Sequence, residues 1–256
     1  MMDDYNYIDL FHGIGGFALG AYMAGMKFKN HFYSDIEKYC QRLYKLRFPD
    51  SIQLGDITKI DTKDLKRYGN KWIITGGFPC QDISIAGKGA GITGNRSGLW
   101  FDYRRIIRDL LPDFAIMENV SALSFRGFDI VLGSLSQIGY NAEWQDIRAA
   151  DMGAPHKRER IWLVAYPETG KISDTQKIGI QRGRTAGQQI TETHEKEGLF
   201  MRGNSGQRKN HWTIEPELDR LADGIPHRMD RLKGLGNSIV PQITKILFEQ
   251  IKPLLN

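Results

Sequence analysis

Up to about Tyr166 the chain alternates short apolar runs with amphipathic stretches, and this alternation narrows the choice of fold more than any other feature. The runs Tyr7–Phe11, His31–Tyr33, Trp72–Thr75, Phe114–Met117 and Ile161–Ala165 have the length and residue types of buried strands. Between them, Phe17–Met23, Ile36–Phe48, Asp102–Leu111 and Phe128–Gln137 carry apolar residues at three- and four-residue spacing, as helices do. Strand–helix units repeated in this way predict an open, mostly parallel α/β sheet with helices packed on its faces.

The remainder reads differently. From Pro167 to about Asn210, Gly, Gln, Thr, Lys and Arg dominate, which marks a second, smaller unit or a long polar excursion. Ile239 to Leu255 again reads as an amphipathic helix, with Ile243, Ile246, Leu247, Ile251 and Leu254 on one face, and is expected to pack back on the sheet. The division expected is a cofactor-binding catalytic domain over 1–166 and 231–256, and a small lobe over 167–230.

Composition removes other classes. With 41% hydrophobic and 25% charged residues, neither a disordered chain nor a membrane protein fits. No window approaches the roughly 20 apolar residues of a spanning helix, and Met1-Met2-Asp3-Asp4-Tyr5 lacks the basic and apolar regions of a signal peptide. A cytoplasmic location is the expectation. The two cysteines, Cys40 and Cys80, lie in unlike settings and read as thiols rather than as a disulfide. The net charge of +5 permits a polyanionic partner without demanding one.

Glycine clusters carry the functional signal. The first, Phe11-His12-Gly13-Ile14-Gly15-Gly16, lies between a strand and a helix, where a nucleotide-like ligand meets the end of a parallel sheet. The same turn also serves plain tight packing. Asp35 and Glu37 follow the next strand, where a carboxylate can accept from two ribose hydroxyls, and Gly55-Asp56-Ile57 offers a further carboxylate beside an apolar wall. Together they outline an adenosine-shaped pocket. The first glycine turn is not of the Gly-x-Gly-x-x-Gly form, and no Gly-x-x-x-x-Gly-Lys-Ser/Thr phosphate cradle is present, which favours the phosphate-free S-adenosylmethionine.

The second cluster, Thr75-Gly76-Gly77-Phe78-Pro79-Cys80-Gln81, places a cysteine behind proline at the edge of the sheet. A thiolate adds to an electron-poor ring carbon, provided a partner activates the ring. Glu118, in Glu118-Asn119-Val120, can protonate or hydrogen-bond a ring nitrogen, and Arg158 and Arg160 can hold a carbonyl oxygen and a phosphate.

In this order these residues resemble the DNA cytosine-5 methyltransferases of bacterial or phage type. Phe11-x-Gly13-x-Gly15-Gly16 is similar to that family's first motif, Gly77-Phe78-Pro79-Cys80-Gln81 to its nucleophile motif, and Glu118-Asn119-Val120 to its glutamate motif. Arg158-x-Arg160 is similar to the paired arginines and Gly236-Asn237-Ser238-Ile239-Val240-Pro241 to the last block. The resemblance implies a Rossmann-like, S-adenosylmethionine-dependent methyltransferase fold with a target-recognition lobe. It also implies site-specific methylation of carbon 5 of a cytosine flipped out of double-stranded DNA, through a Cys80 adduct. Glu118 would engage ring nitrogen 3, Arg160 the base carbonyl, and Arg158 the nucleophile or a phosphate.

For the cofactor it implies Phe11, Gly13, Ile14, Gly15 and Gly16 at the loop, and Asp35 with Ile36 at ribose and adenine. Asp56 and Ile57 would meet the adenine edge, Leu99 a wall, and Asn237, Ser238 and Ile239 the methionine end. Gln81, Ser84, Lys88 and Arg96 are the expected DNA contacts, the last three in the glycine-rich stretch Ser84 to Gly98, which suits a closing loop. No metal ligand set is expected. A monomer is expected, with a cognate restriction endonuclease acting separately and a place on the nucleoid. An RNA cytosine-5 methyltransferase and a silent nucleic-acid-binding module of the same fold are the alternatives. His156 stands where the family usually has glutamine, and the recognition region is short.

Overall fold

The computed structural model describes residues 4–79, 98–125, 127–154, 156, 158–168 and 237–255. Among these, seven strands form one sheet: β1 (Asn6–Leu10), β2 (Asn30–Ser34), β3 (Ile52–Gln53), β4 (Trp72–Gly76), β5 (Phe114–Val120), β6 (Tyr140–Arg148) and β7 (Glu159–Pro167). Their order is β3-β2-β1-β4-β5-β7-β6. β1 to β5 run parallel, whereas β7 is antiparallel to both β5 and β6. The helices are α1 (Gly16–Met23), α2 (Lys38–Arg47), α3 (Thr62–Lys66), α4 (Gly98–Leu110), α5 (Phe128–Ser136) and α6 (Pro241–Ile251). This is the mostly parallel, Rossmann-like α/β architecture expected of an S-adenosylmethionine-dependent methyltransferase.

Successive strand residues feed opposite faces of the sheet. Ile8 and Ile74 join Trp100, Tyr103 and Ile106 of α4 on one side. Tyr7 and Ile73 join Phe17 and Ala21 of α1 and Ile243 and Leu247 of α6 on the other. The chain's last helix is therefore part of the core. The sheet order reverses between β1 and β4, so the crevice beyond their carboxyl ends is where such a sheet receives a ligand.

Several boundaries differ from the sequence reading for identifiable reasons. α2 starts at Lys38, leaving Ile36 outside it and 70% exposed. The last helix starts at Pro241, not Ile239, because proline is favoured in a first turn where no amide partner is needed. α4 begins at Gly98, four residues before the apolar periodicity becomes visible. β6 carries Asn141, Glu143, Gln145 and Asp146 and shows no apolar run, so its composition hides it.

Candidate active site

The turn after β1 is built by backbone conformation. Phe11, Gly13 and Gly15 all have left-handed φ, of 52°, 51° and 85°. Gly15 is the residue before α1, so that helix starts without a capping side chain. A side-chain carbon at Gly13 would meet nothing within 4 Å, so the turn presents bare backbone toward open space. Asp35 ties the ends of β1 and β2 together. One carboxylate oxygen accepts from the Gly13 amide at 3.0 Å and the other from the Glu37 amide at 2.9 Å. The Ile14 carbonyl accepts from Arg47 Nη1 at 2.9 Å, and Phe11 packs near Tyr103.

Other residues expected at the cofactor have mixed settings. Asp56 Oδ1 accepts from the Thr58 amide and hydroxyl at 3.0 and 2.9 Å, capping a turn of 3-10 helix. Ile57 is buried in the core, unlike the exposed Ile36. Leu99 is half-buried against the α4 face of the core.

The carboxyl ends of β4 and β5 hold the polar centre. Pairing of Gly76 with Met117 puts Gly77 beside Glu118, and a side-chain carbon at Gly77 would lie 3.1 Å from Glu118 Oε2. Any larger residue there would crowd that carboxylate and require it to shift by a few tenths of an ångström. Asn119 points the other way along the strand and donates from Nδ2 to the Phe78 carbonyl at 3.0 Å, fixing the path of the chain just before Cys80. Trp162 faces Glu118 in the antiparallel register of β5 and β7. Arg160, two residues earlier, reaches Glu118 Oε1 with Nε at 3.1 Å. Burial pushes the Glu118 carboxyl up to about 7 against the pull of Arg160 and Arg158. A carboxyl so placed holds or gives up a proton near neutral pH.

Arg158 has a left-handed φ of 28° and donates from Nη2 to the Ser238 carbonyl at 2.7 Å. Burial and the neighbouring Arg160 push its guanidinium down. The segment 237–239 thus enters the same region. A side-chain carbon on Gly16 would be 2.6 Å from the Ile239 carbonyl oxygen, and one on Gly77 would be 3.7 Å from Ile239 Cδ1. Ile239 therefore touches both glycine turns.

Cys80, Gln81, Ser84, Lys88 and Arg96 lie outside the described residues, as does most of the expected 167–230 lobe. Among the described residues no cluster suited to a metal ion occurs, and no helix is long and apolar enough to cross a membrane. Gly77 and Asn119 emerge here as supports for Glu118 and for the Phe78 backbone. In the sequence they were visible only as members of motifs.

The profile of C-5 cytosine-specific DNA methylases matches residues 5–228. The chain belongs to that family. It is 40% identical over 166 residues to the Type II methyltransferase M1.ScrFI of Lactococcus lactis subsp. cremoris, covering 63% of this chain and 41% of that protein. To the Type II methyltransferase M.NgoBI of Neisseria gonorrhoeae it is 39% identical over 168 residues, covering 64% and 51%. The chain spans about half the length of the curated relatives it matches. A putative DNA modification methyltransferase encoded in an E. coli prophage superposes with a TM-score of 0.55 at 25% identity, over 69% of this chain and 50% of that one. The methyltransferase EhMeth of Entamoeba histolytica shares the fold over 98% of this chain and 99% of its own, at TM-score 0.65 and 17% identity.

Proposed function

We propose that this member of the C-5 cytosine-specific DNA methylase family is a site-specific DNA cytosine-5 methyltransferase. Double-stranded DNA is its substrate and S-adenosylmethionine its methyl donor. The observation that carries the reading is the largely covered Glu118, held by Arg160 against the strand end that continues into Cys80.

The residues present fit the cofactor. The turn at 11–16 presents open backbone at Gly13, Asp35 is fixed beside it, and Ile36 is exposed as an apolar wall would be before a ligand covers it. Phe11, Gly13, Ile14, Gly15 and Gly16 would hold the methionine and ribose side. Asp35 and Ile36 would take ribose and adenine, Asp56, Ile57 and Leu99 the adenine pocket, and Asn237, Ser238 and Ile239 the methionine end. When bound, S-adenosylmethionine supplies a methyl group on a sulfonium, electrophilic toward a nucleophilic ring carbon.

The chain's own residues make that carbon nucleophilic. The Cys80 thiolate forms a bond to carbon 6 of the extruded cytosine, and the electron pair displaced from the 5,6 double bond is drawn toward nitrogen 3. Glu118 holds its proton at that nitrogen, and with Arg160 at the base carbonyl it limits the charge that builds up. Removal of the carbon 5 proton and departure of the Cys80 sulfur then restore the double bond. Arg158 orients this group of residues through Ser238. Gln81, Ser84, Lys88 and Arg96 would meet the DNA backbone, and 167–230 would read the target. A monomer acting in the cytoplasm on the nucleoid, with a separate cognate endonuclease, completes the proposal.

The test compares wild type with Cys80→Ser for methyl transfer to DNA and to RNA. Cysteine-dependent product on DNA is expected, and none on RNA. DNA carrying 5-fluorocytosine at the site should trap wild type covalently, because carbon 5 then has no removable proton. Failure to trap on a sequence the protein methylates removes Cys80 from the nucleophile role.

A further inference from the structure

Beneath the cofactor turn runs a continuous hydrogen-bond chain, buried at every member but Tyr22, that methyl transfer does not use. Tyr22 Oη lies 3.0 Å from His31 Nδ1, and His31 Nε2 lies 2.7 Å from Tyr44 Oη. Tyr44 donates to Asp9 Oδ2 at 3.0 Å, and the Thr75 hydroxyl donates to Asp9 Oδ1 at 3.1 Å. The directions follow from the donors available. Tyr44 spends its one proton on Asp9, so its oxygen accepts from His31 Nε2–H, and the bare Nδ1 of a neutral His31 accepts from Tyr22. Every donor points toward an ionised Asp9.

One added proton reverses the chain without leaving a charge on any intermediate group. Tyr22 takes a proton from solvent and passes its own to His31 Nδ1. His31 releases the Nε2 proton to Tyr44, and Tyr44 releases its proton to Asp9 Oδ2. Asp9 then donates to Tyr44, Tyr44 to His31 Nε2, and His31 Nδ1–H to Tyr22. Tyr22 is 40% exposed while Asp9 and Tyr44 are fully buried, so the outer end has access to water and the inner end has none.

The inner end touches the turn. A side-chain carbon on Gly15 would lie 3.1 Å from the Tyr44 ring and 2.9 Å from that of Phe48, so both rings pack on the residue that opens α1. Asp9 faces the Ala18 amide in the first turn of that helix, where Gly15 supplies no cap. We propose that Asp9 is a positioning residue whose ionised form holds the turn at 11–16 in its binding geometry, with Tyr44–His31–Tyr22 as its proton route, so that cofactor affinity depends on pH. The proposal rests on reading that turn as the seat of S-adenosylmethionine.

The groups facing Asp9 are Tyr7 on its own strand, Tyr44 on α2, Tyr103 on α4 and Asp35 after β2, with His31 and His12 beyond. Burial pushes the three tyrosines well up, and pushes His12 and His31 down to about 4 and about 3. Burial, with the nearby Asp35 charge adding to it, pushes Asp9 up to about 7 against its hydrogen bonds from Tyr44 and Thr75. Asp9 is therefore the group here that gains charge as pH rises through neutrality, and affinity rises with it.

The experiment follows His31 ring nitrogens by NMR in the full chain labelled with 15N-histidine, from about pH 5 to about pH 9. S-adenosylmethionine binding is measured calorimetrically at the same pH values. In wild type His31 stays neutral and its proton moves from Nδ1 to Nε2 as pH rises through about 7, while affinity increases at least about fivefold. In Asp9→Asn the new amide donates to Tyr44 as a protonated Asp9 would. His31 then keeps its Nδ1 proton throughout and the pH dependence of binding disappears. Tyr44→Phe keeps the ring on Gly15 but cuts the chain, so the His31 tautomer no longer follows pH. A wild-type His31 that becomes imidazolium in this range, or never changes tautomer, overturns the proton route. A tautomer switch with pH-independent binding overturns the positioning role. An intact switch with no binding at any pH refutes the cofactor seat and, with it, the coupling.

Discussion

Replacing Glu118 by glutamine should separate what the residue does for folding from what it does for chemistry. Burial moves this carboxyl from 4.5 to about 7 even with Arg160 at 3.1 Å. Below about pH 4.5 it is neutral in folded and unfolded chains and contributes no difference. Between 4.5 and about 7 the unfolded chain releases the proton while the folded one keeps it, so stability falls as pH rises. Above about 7 the full penalty is present, about 3 kcal/mol at about 1.4 kcal/mol per pH unit. Glutamine is nearly the same shape and cannot ionise. Urea denaturation at a series of pH values should therefore show Glu118→Gln indistinguishable from wild type near pH 4.5 and more stable by about 2–3 kcal/mol at about pH 8. Methyl transfer should meanwhile fall about 10²- to 10⁴-fold, because the amide can donate a hydrogen bond to the ring nitrogen but cannot transfer a proton to it. Asp9, also shifted to about 7, is present in both proteins and cancels in the comparison. A variant less stable than wild type at alkaline pH, or a stability difference that does not change with pH, would refute the reasoning.

Two further substitutions probe the supports of the site. Asn119→Ala removes the bond to the Phe78 carbonyl and the one from the Val120 amide, and should lower stability by about 1–3 kcal/mol while reducing kcat more than KM; thermal melts and steady-state kinetics read both. Gly16→Ala puts a carbon 2.6 Å from the Ile239 backbone oxygen, which cannot rotate away, and should lower stability by about 1–3 kcal/mol with faster hydrogen exchange confined at first to 237–251.

β1, β2, β4 and β5 were legible because strands covered on both faces are mainly apolar, whereas the short, exposed β3 was not. Tyr7-Ile8 and Trp72-Ile73-Ile74-Thr75 stand out in the sequence for that reason. β6 was not legible, since an edge strand is only partly covered and tolerates Asn141, Gln145 and Asp146, while the buried Glu143 accepts from the Tyr166 hydroxyl. The antiparallel entry of β7 also left no local trace; a strand's direction depends on its connections, not its composition. At the site, the ends of β1, β2, β4 and β5 were legible as glycine and acidic motifs. The Asp9–Tyr44–His31–Tyr22 chain was not. Tyr44 and Tyr22 sit on helices at core-like spacing, and only the fold shows that their hydroxyls bracket the His31 ring, with Tyr44 passing the chain on to Asp9.

How Asn237–Ile239 reaches a turn made at the other end of the chain is answered by α1. That helix is small on the side facing α6: Gly16 lies against Ile239, and Gly20 against Thr244 and the Pro241 carbonyl oxygen, at distances where no side-chain carbon fits. A helix with two glycines in eight residues is weak by propensity, so α1 relies on packing for its order. α6 supplies that packing through Ile243, Leu247 and Phe248. The same close approach that stabilises α1 thus delivers Ser238 to Arg158 and Ile239 to both glycine turns. Substitutions at Gly20, where an added side-chain carbon would meet Thr244, Pro241 and Lys245 of α6, should accordingly weaken cofactor binding and the order of 237–251 together. If binding were lost while hydrogen exchange in that segment stayed unchanged, α1 would have to act on the site by some path other than α6.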